Sequence, residues 1–378
     1  MDLALTETQV MLQNSAKEFL TVEMPKHRVR ELDDSETGFA PDLWRKVCDM
    51  GWAGMVIPEQ YGGTGNSFTD MAVVFEQLGY AAYGGPLLDS GVFSAQLILE
   101  AGSEEQKKAF LPAIAEGQQI FTVAYTEPEY GWGPDRVKMR AQRRDGNWVL
   151  NGTKLFIPWA HIADRILVVA RTSDGRTPED GLTVFVVDRT ARGVSTRLHY
   201  GWLGDKVNEV TFNNVTVPAA NVLGSVGNVW PAIEKARDKA TSVLSVYMAG
   251  GAQRAYEMCR DYSTTRIAFG VPIGTFQRVQ DFVIVSLTEA DASKWTAYEA
   301  LWRLDSGRDD AALGISMAKA VASDGYSKAC DASHHVHAGI GVDMDFGLVN
   351  YTVRARTFQQ YLGDSIFHKA RMAKLMSL

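Results

Sequence analysis

Only three cysteines occur in 378 residues, Cys48, Cys259 and Cys330, and none forms a CxxC pair. That excludes a disulfide framework and a thiolate zinc site, and the three read as buried thiols. No apolar run approaches the roughly 18 residues that cross a bilayer. The opening MDLALTETQVMLQ has no basic segment followed by an apolar core, so the expected compartment is the cytoplasm, with no membrane partner. Basic residues are outnumbered, 38 Lys and Arg against 45 Asp and Glu, and the net charge is -7 with no basic stripe. Nucleic acid is therefore excluded as the main partner. Repeats and low-complexity segments are lacking as well. Apolar content is what the chain has: 46% hydrophobic residues can bury a sizeable core, and the length predicts two or three domains.

The apolar spacing changes period twice. Residues 1–119 carry helical spacing, with Thr6-Glu-Thr-Gln opening the first helix as a capping box. Pro58, Gly62, Gly63 and Gly65 mark a loop; Phe68 to Leu78 forms a helix ending at Gly79, and GSEEQKKAFLPAIAEG reads as a short helix pair stopped at Pro112 and Gly117. Over 120–228 the period falls to two, in WVLNGTKLFI, RILVVART, LTVFVVD, VSTRLHY and EVTFNNVTVP. Asp145-Gly146 and Asn151-Gly152 suit tight hairpin turns, since both tolerate positive φ. Helical spacing returns over 229–378 in four long segments, with breaks near 266–276, 305–310 and 338–348. The expected fold is multi-domain α+β: an N-terminal α-helical domain, a middle β-barrel or sandwich domain and a C-terminal four-helix bundle.

Tyr262 to Gln280, YSTTRIAFGVPIGTFQRVQ, joins two of the long helical segments. Its RxxFG core places a guanidinium, Arg266, and a ring, Phe269, on a helix end that Gly270 and Pro272 stop. Arginine grips phosphate with two parallel N–H bonds, and Phe269 and Phe276 offer faces to a ring system. With Pro272, Ile273 and Gln277 this segment resembles the one with which acyl-CoA dehydrogenases hold the FAD bound mainly to a neighbouring subunit. Further blocks extend the resemblance from end to end: IPEQYGGTG, FEQLGY, GSEEQKKAFLP, YTEP at 125–128, DGNWVLNGTKLFI, ILVVART and HAGIG at 337–341.

The resemblance implies an enzyme in which a flavin takes a hydride from Cβ of an acyl thioester while a carboxylate removes the Cα proton. It also implies which residues to look for. Tyr125, Thr126, Glu127 and Pro128 match the segment that borders the flavin ring. The family's aromatic-Ile-Thr segment reads Phe156-Ile157-Pro158 here, so the hydroxyl that meets the flavin is missing. The catalytic glutamate of a Tyr-Glu-Gly-Thr block aligns, on Tyr361 and Gly363, with Leu362. A minority of the family carries it on the helix before RxxFG instead, where Ala240 and Thr241 stand. Arg237 and Asp238 lie within one turn of that position. Asp364 is two residues from Leu362, about 200° away on a helix, and should face elsewhere. No catalytic base is therefore expected in this chain.

The loss of Thr and Glu beside a retained Arg266, Phe269 and Gln277 resembles the glutamate-lacking subunits of actinobacterial heterotetrameric acyl-CoA dehydrogenases, including those of steroid side-chain catabolism. Their short GxGVD turn is here Gly339-Ile-Gly-Val-Asp343, with departures at Ala338, for a glycine, and His335, for a glutamine. That implies a glutamate-bearing partner subunit, an acyl-CoA substrate and an electron-transfer flavoprotein or similar acceptor. His335 and Gly339 are candidates for the FAD pyrophosphate. His334, His335 and His337 do not make a metal site, since adjacent helical residues point about 100° apart and no carboxylate or Cys joins them. Trp52 and Trp202 read as core or interface fillers. Trp132 and Trp159, in the flavin-bordering segments, can narrow an acyl pocket. Two other readings remain: a homo-oligomeric enzyme of different chemistry, such as desulfination, and a non-catalytic structural paralogue.

Overall fold

A computed structural model describes residues 4–201 and 206–378, so Trp202 lies outside the described residues. The chain begins with α1 (Glu7–Glu23), α2 (Lys26–Asp34), α3 (Pro41–Asp49), α4 (Phe68–Tyr80), α5 (Ala95–Ala101) and α6 (Glu104–Ala115). Eight strands follow: β1 (Phe121–Ala124), β2 (Arg140–Arg144), β3 (Asn147–Pro158), β4 (Arg165–Arg171), β5 (Leu182–Asp188), β6 (Val194–Tyr200), β7 (Lys206–Val217) and β8 (Val222–Leu223). The remainder comprises α7 (Trp230–Thr265), a hairpin of β9 (Ile267–Ala268) and β10 (Val271–Pro272), α8 (Gln277–Asp305), α9 (Ala311–His337), α10 (Leu348–Gln360) and α11 (Ser365–Leu375). The expected α+β architecture is present, with helical ends around a central stretch of strands.

Two compact units emerge, neither continuous in sequence. The first takes Met1–Ser35, Ser67–Gly84 and Thr241–Leu378. Its core is built largely from small side chains, Ala72, Val246, Ala297, Ala300, Leu301 and Ala318, so that helices α4, α7, α8 and α9 approach closely. Thr6 caps α1 as a true capping box, the Gln9 amide donating to its hydroxyl at 3.3 Å and the Gln9 side chain accepting from its own amide at 3.0 Å. Gly79 does not end α4, which continues to Tyr80. A Cβ on Gly79 would lie 1.9 Å from the Tyr247 carbonyl oxygen. It is a glycine of helix–helix contact, which composition alone cannot tell from a stop.

The second unit takes Glu36–Asn66 and Gly85–Ala240 and holds the sheet, ordered β6-β7-β3-β2-β4-β5-β8 with β1 parallel to β4. Trp148, Leu150, Ile157, Ile166, Phe185 and Phe212 fill its core. Asp145-Gly146 makes the β2–β3 turn with φ of 50° and 78°, as expected. Asn151-Gly152 does not make a turn. It lies inside β3 at a register shift between Leu150 and Gly152, since a dipeptide that tolerates positive φ serves a bulge equally well. The helix pair expected over 102–117 is one helix, α6, capped by Ser103 and running through Pro112. Strands β1, β2 and β8 escaped the period-two reading: two are very short, and β2, RAQRR, is mostly exposed and charged.

Candidate active site

The β9–β10 hairpin replaces the expected helix end at RxxFG. Helix α7 stops at Thr265, the Arg266 amide still donates to the Tyr262 carbonyl at 2.9 Å, and the Ile273 amide returns to the Arg266 carbonyl at 2.9 Å. Phe269 and Gly270 form the hairpin tip with φ of 53° and 80°, which leaves the Phe269 ring 96% exposed. Among the described residues its one ring contact is with Phe276, edge to face at 6.1 Å between centroids. Arg266 and Gln277, the first residue of α8, are both exposed, and among the described residues no side chain pairs with the Arg266 guanidinium. A charged fork and a bare ring thus project from one short segment.

The three histidines of α9 take three separate roles. His334 Nε2 is 2.7 Å from the Thr352 hydroxyl, and His337 Nδ1 donates to the Ser333 carbonyl at 2.8 Å and stacks on Tyr262 at 4.6 Å. Burial lowers the pKa of both. His335 is exposed and stacks on Phe282 at 4.7 Å, and the Arg278 guanidinium lies 4.5 Å from that same ring. Among the described residues no group of three His, Cys, Asp or Glu side chains could hold a metal. Gly339 lies exposed in a tight turn over Ala338–Val342.

In the second unit, Tyr125 and Thr126 continue from β1 and meet β3. The Thr126 hydroxyl donates to the Leu155 carbonyl. Tyr125 is buried, stacks face to face with Trp132 (5.3 Å, 7°) and donates its hydroxyl to the Gly133 carbonyl at 2.9 Å. Glu127 is spent on structure: it accepts from the buried Lys154 at 2.8 Å and from the Lys138 and Met139 amides at 2.9 and 3.0 Å. Burial pushes the Lys154 ammonium down while Glu127 pulls it up. A second bulge in β3, between Lys154 and Ile157, gives Phe156 a φ of 61° and leaves it 46% exposed, its ring set edge-on to Tyr130 at 5.7 Å. Pro158 has neither N–H nor hydroxyl; its carbonyl accepts from Thr122 at 2.7 Å. Trp159 stacks on His161 at 6.1 Å. The Thr126–Leu155 and Thr122–Pro158 bonds set β1 and the residues after it against the second half of β3, which carries Phe156 and Pro158.

Leu362 is fully buried with φ 60°. The expected continuous fourth helix is broken here: 361–364 is a turn between α10 and α11, because Gly363, at φ 104°, cannot sit in a right-handed helix. The helical angle used to set Asp364 aside is thus the wrong reason. Asp364 is the N-cap of α11, and its carboxylate accepts from the Phe367 amide at 2.7 Å. Ala240 is fully buried on α7, Asp238 is half-buried, and Arg237 is buried, donating to the Trp132 carbonyl at 2.8 Å. Sequence reasoning missed Lys319, whose bonds converge behind Leu362. A lone lysine inside the small-residue run ISMAKAVAS was the available signal.

Family models describe the chain as acyl-CoA dehydrogenase in three consecutive parts: N-terminal domain over residues 6–118, middle domain over 122–215 and C-terminal domain over 230–376. The chain belongs to the acyl-CoA dehydrogenase family. Among curated relatives it is 28% identical, over 99% of its length and 95% of theirs, to an acryloyl-CoA reductase (NADH) of Anaerotignum propionicum. Among solved structures it is similar to the ChsE4-ChsE5 complex from Mycobacterium tuberculosis, with TM-score 0.90, 26% identity and coverage of 100% of this chain and 99% of that one. A variant of the Tcur3481-Tcur3483 steroid ACAD matches with TM-score 0.86, 28% identity and coverage of 98% of each chain. FAD-dependent dehydrogenation is the family's reaction, and FAD its cofactor. The two candidate regions fit that cofactor unequally. Arg266 and Phe269 are free to meet a phosphate and a ring. Among the described residues Pro158 itself brings no hydroxyl, and those of Thr122 and Thr126 are already committed to the Pro158 and Leu155 carbonyls.

Proposed function

We propose that this chain is the glutamate-lacking subunit of a heteromeric, FAD-dependent acyl-CoA dehydrogenase and completes the FAD site of a glutamate-bearing partner. The observation that carries the reading is the contrast between an exposed, unpaired Arg266 and fully buried Leu362 and Ala240 where the family's base is expected. Arg266 would grip the FAD pyrophosphate through two N–H bonds, Phe269 and Gln277 would flank it, and His335 and Gly339 would line the same cofactor. The base that takes the Cα proton then belongs to the partner. Tyr125, Thr126, Phe156 and Pro158 remain as this chain's own flavin-bordering edge, without a hydroxyl at Pro158. The substrate is an acyl-CoA, and the heteromeric steroid ACAD among the neighbours supports a steroid or other bulky acyl group. An electron-transfer flavoprotein or similar acceptor would reoxidise the cofactor, in the cytoplasm.

Co-expression with each glutamate-bearing homologue encoded beside it tests the reading. The expected result is a yellow heterotetramer with two FAD per four chains, active with an artificial electron acceptor. A homo-oligomer of this chain alone that keeps FAD would favour the chemistry that needs no α-proton base, such as desulfination. A colourless assembly with every partner would leave only the structural paralogue.

A further inference from the structure

Lys319, on α9 and fully buried, reaches four oxygens: Ser323 Oγ at 2.7 Å, the Gly363 carbonyl at 2.8 Å, the Phe358 carbonyl at 3.0 Å and the Gln359 carbonyl at 3.3 Å. Phe358 and Gln359 lie in the last turn of α10, where a helix leaves its carbonyls without intrahelical donors and its dipole is negative. Gly363 directly follows Leu362. One ammonium therefore ties the end of α10 to the turn that follows it. The turn is fixed on its other side too: His368 Nε2 lies 3.1 Å from the Leu362 carbonyl, and Asp364 caps α11. Between these tethers Leu362 keeps φ 60°, a backbone that side-chain-bearing residues avoid.

We propose that Lys319 is a positioning residue that holds residue 362 in its left-handed conformation, at the place where the resemblance puts the catalytic carboxylate. Three N–H donors on one tetrahedral centre suit a cluster of main-chain carbonyls, and a buried ammonium without such acceptors would be costly. Burial works against its charge while the carboxylates of Asp364 and Asp324 favour it. Every tether to the turn's main chain is made to an oxygen or amide of the backbone, so the side chain at 362 is not part of the brace. The turn can then keep its shape with leucine in place of glutamate. This role needs neither partner nor flavin, and it goes beyond the subunit assignment.

Amide hydrogen exchange on the full-length chain tests it. Lys319→Met should raise exchange over 360–364 at least tenfold, and by more than in α9 around position 319. On a Leu362→Gly background, where glycine holds positive φ without a brace, the same Lys319→Met change should raise exchange at 360–364 by less than threefold. Lys319→Gln, which keeps two N–H donors, should give an intermediate rise and serves if the methionine variant fails to fold. Leu362→Gly alone forfeits the burial of a leucine and is the reference for the comparison on the glycine background. Unchanged exchange in the Lys319 variants, an equal rise throughout α9 and α10, or a tenfold rise from Lys319→Met on the glycine background as well would overturn the proposal.

Discussion

At the tip of the β9–β10 hairpin and in the turn between α10 and α11, a bulky residue followed by glycine takes the same left-handed backbone: φ is 53° and 80° for Phe269-Gly270, and 60° and 104° for Leu362-Gly363. The surroundings are opposite. A Cβ on Gly270 would meet nothing within 4 Å, whereas one on Gly363 would lie 2.4 Å from the Phe367 ring and 2.9 Å from His368 Nε2. The Phe269 ring stands in solvent, while Leu362 is sealed. Strained backbone tends to mark functional positions, but it does not say on whose behalf they act. The open turn leaves its side chain in solvent, and the closed one fills its own interior.

Glycine replacement should separate the two turns most sharply. Gly363→Ala meets both the ring of Phe367 and an unfavourable φ, for a loss of about 2–4 kcal/mol. Gly270→Ala meets only the backbone penalty, about 1 kcal/mol. Equilibrium urea unfolding of the full chain checks both, and equal losses would break the distinction between open and closed.

Leu362→Glu tests the closed turn chemically. Replacing a fully buried leucine forfeits about 1.5–3 kcal/mol of apolar burial, and an unpaired carboxyl there adds about 1–3 kcal/mol. Desolvation raises the pKa of the new group in the fold. Between its ordinary pKa and the raised one, the unfolded chain has lost the proton and the folded chain has kept it, so stability falls as pH rises. The gap in unfolding free energy between wild type and Leu362→Glu should therefore widen from pH 4 to pH 8. No dehydrogenation is expected from the variant alone, since Pro158 still offers no hydroxyl. A constant gap, or turnover without a partner, would mean that residue 362 opens onto a solvated pocket.

At the open turn the effect should appear in cofactor binding. If Arg266 grips the FAD phosphate as proposed, Arg266→Ala removes a charge-assisted contact of about 1.5–3 kcal/mol, a tenfold or larger loss of FAD affinity in the assembled enzyme. The variant chain itself should fold as well as wild type, because among the described residues nothing pairs with the guanidinium. Flavin absorbance per tetramer, measured by dilution, gives the affinity. Unchanged flavin content would assign Arg266 to a purely structural paralogue.

Long-period features are legible in the residues alone. The capping box at Thr6, the breaks between α7, α8, α9 and α10, and the Asp145-Gly146 turn all follow from local chemistry that acts over a few residues. The failures share a different cause. Asn151-Gly152, Gly79 and Gly363 each hold a signal with more than one structural use, and tertiary contacts choose among them: a bulge opposite β7, a close helix crossing and a left-handed turn. Lys319 stands out as a lone lysine among small residues, but its role is illegible for the same reason. Its acceptors sit about forty residues ahead, and nothing in ISMAKAVAS announces carbonyls that arrive only when α10 folds back. Absences at the candidate site are easier to read, because the lack of a carboxylate at Leu362 and of a hydroxyl at Pro158 depends on residue identity alone.

The smallest expected effect is the most telling about the open turn. Phe269 is almost wholly exposed and touches one ring edge, so Phe269→Ala should change the unfolding free energy of the isolated chain by no more than about 0.5 kcal/mol. If the ring is held out for a cofactor or partner surface, the same substitution should weaken assembly or flavin retention in the heteromer, where a buried aromatic contributes far more than it does in water. Calorimetry on the isolated chain and sedimentation of the co-expressed complex measure the two quantities on one variant. A loss in the isolated chain would mean that copies of this chain already cover the ring. A loss in neither would leave the hairpin tip without a role, and the contrast between the two turns would then reduce to packing alone.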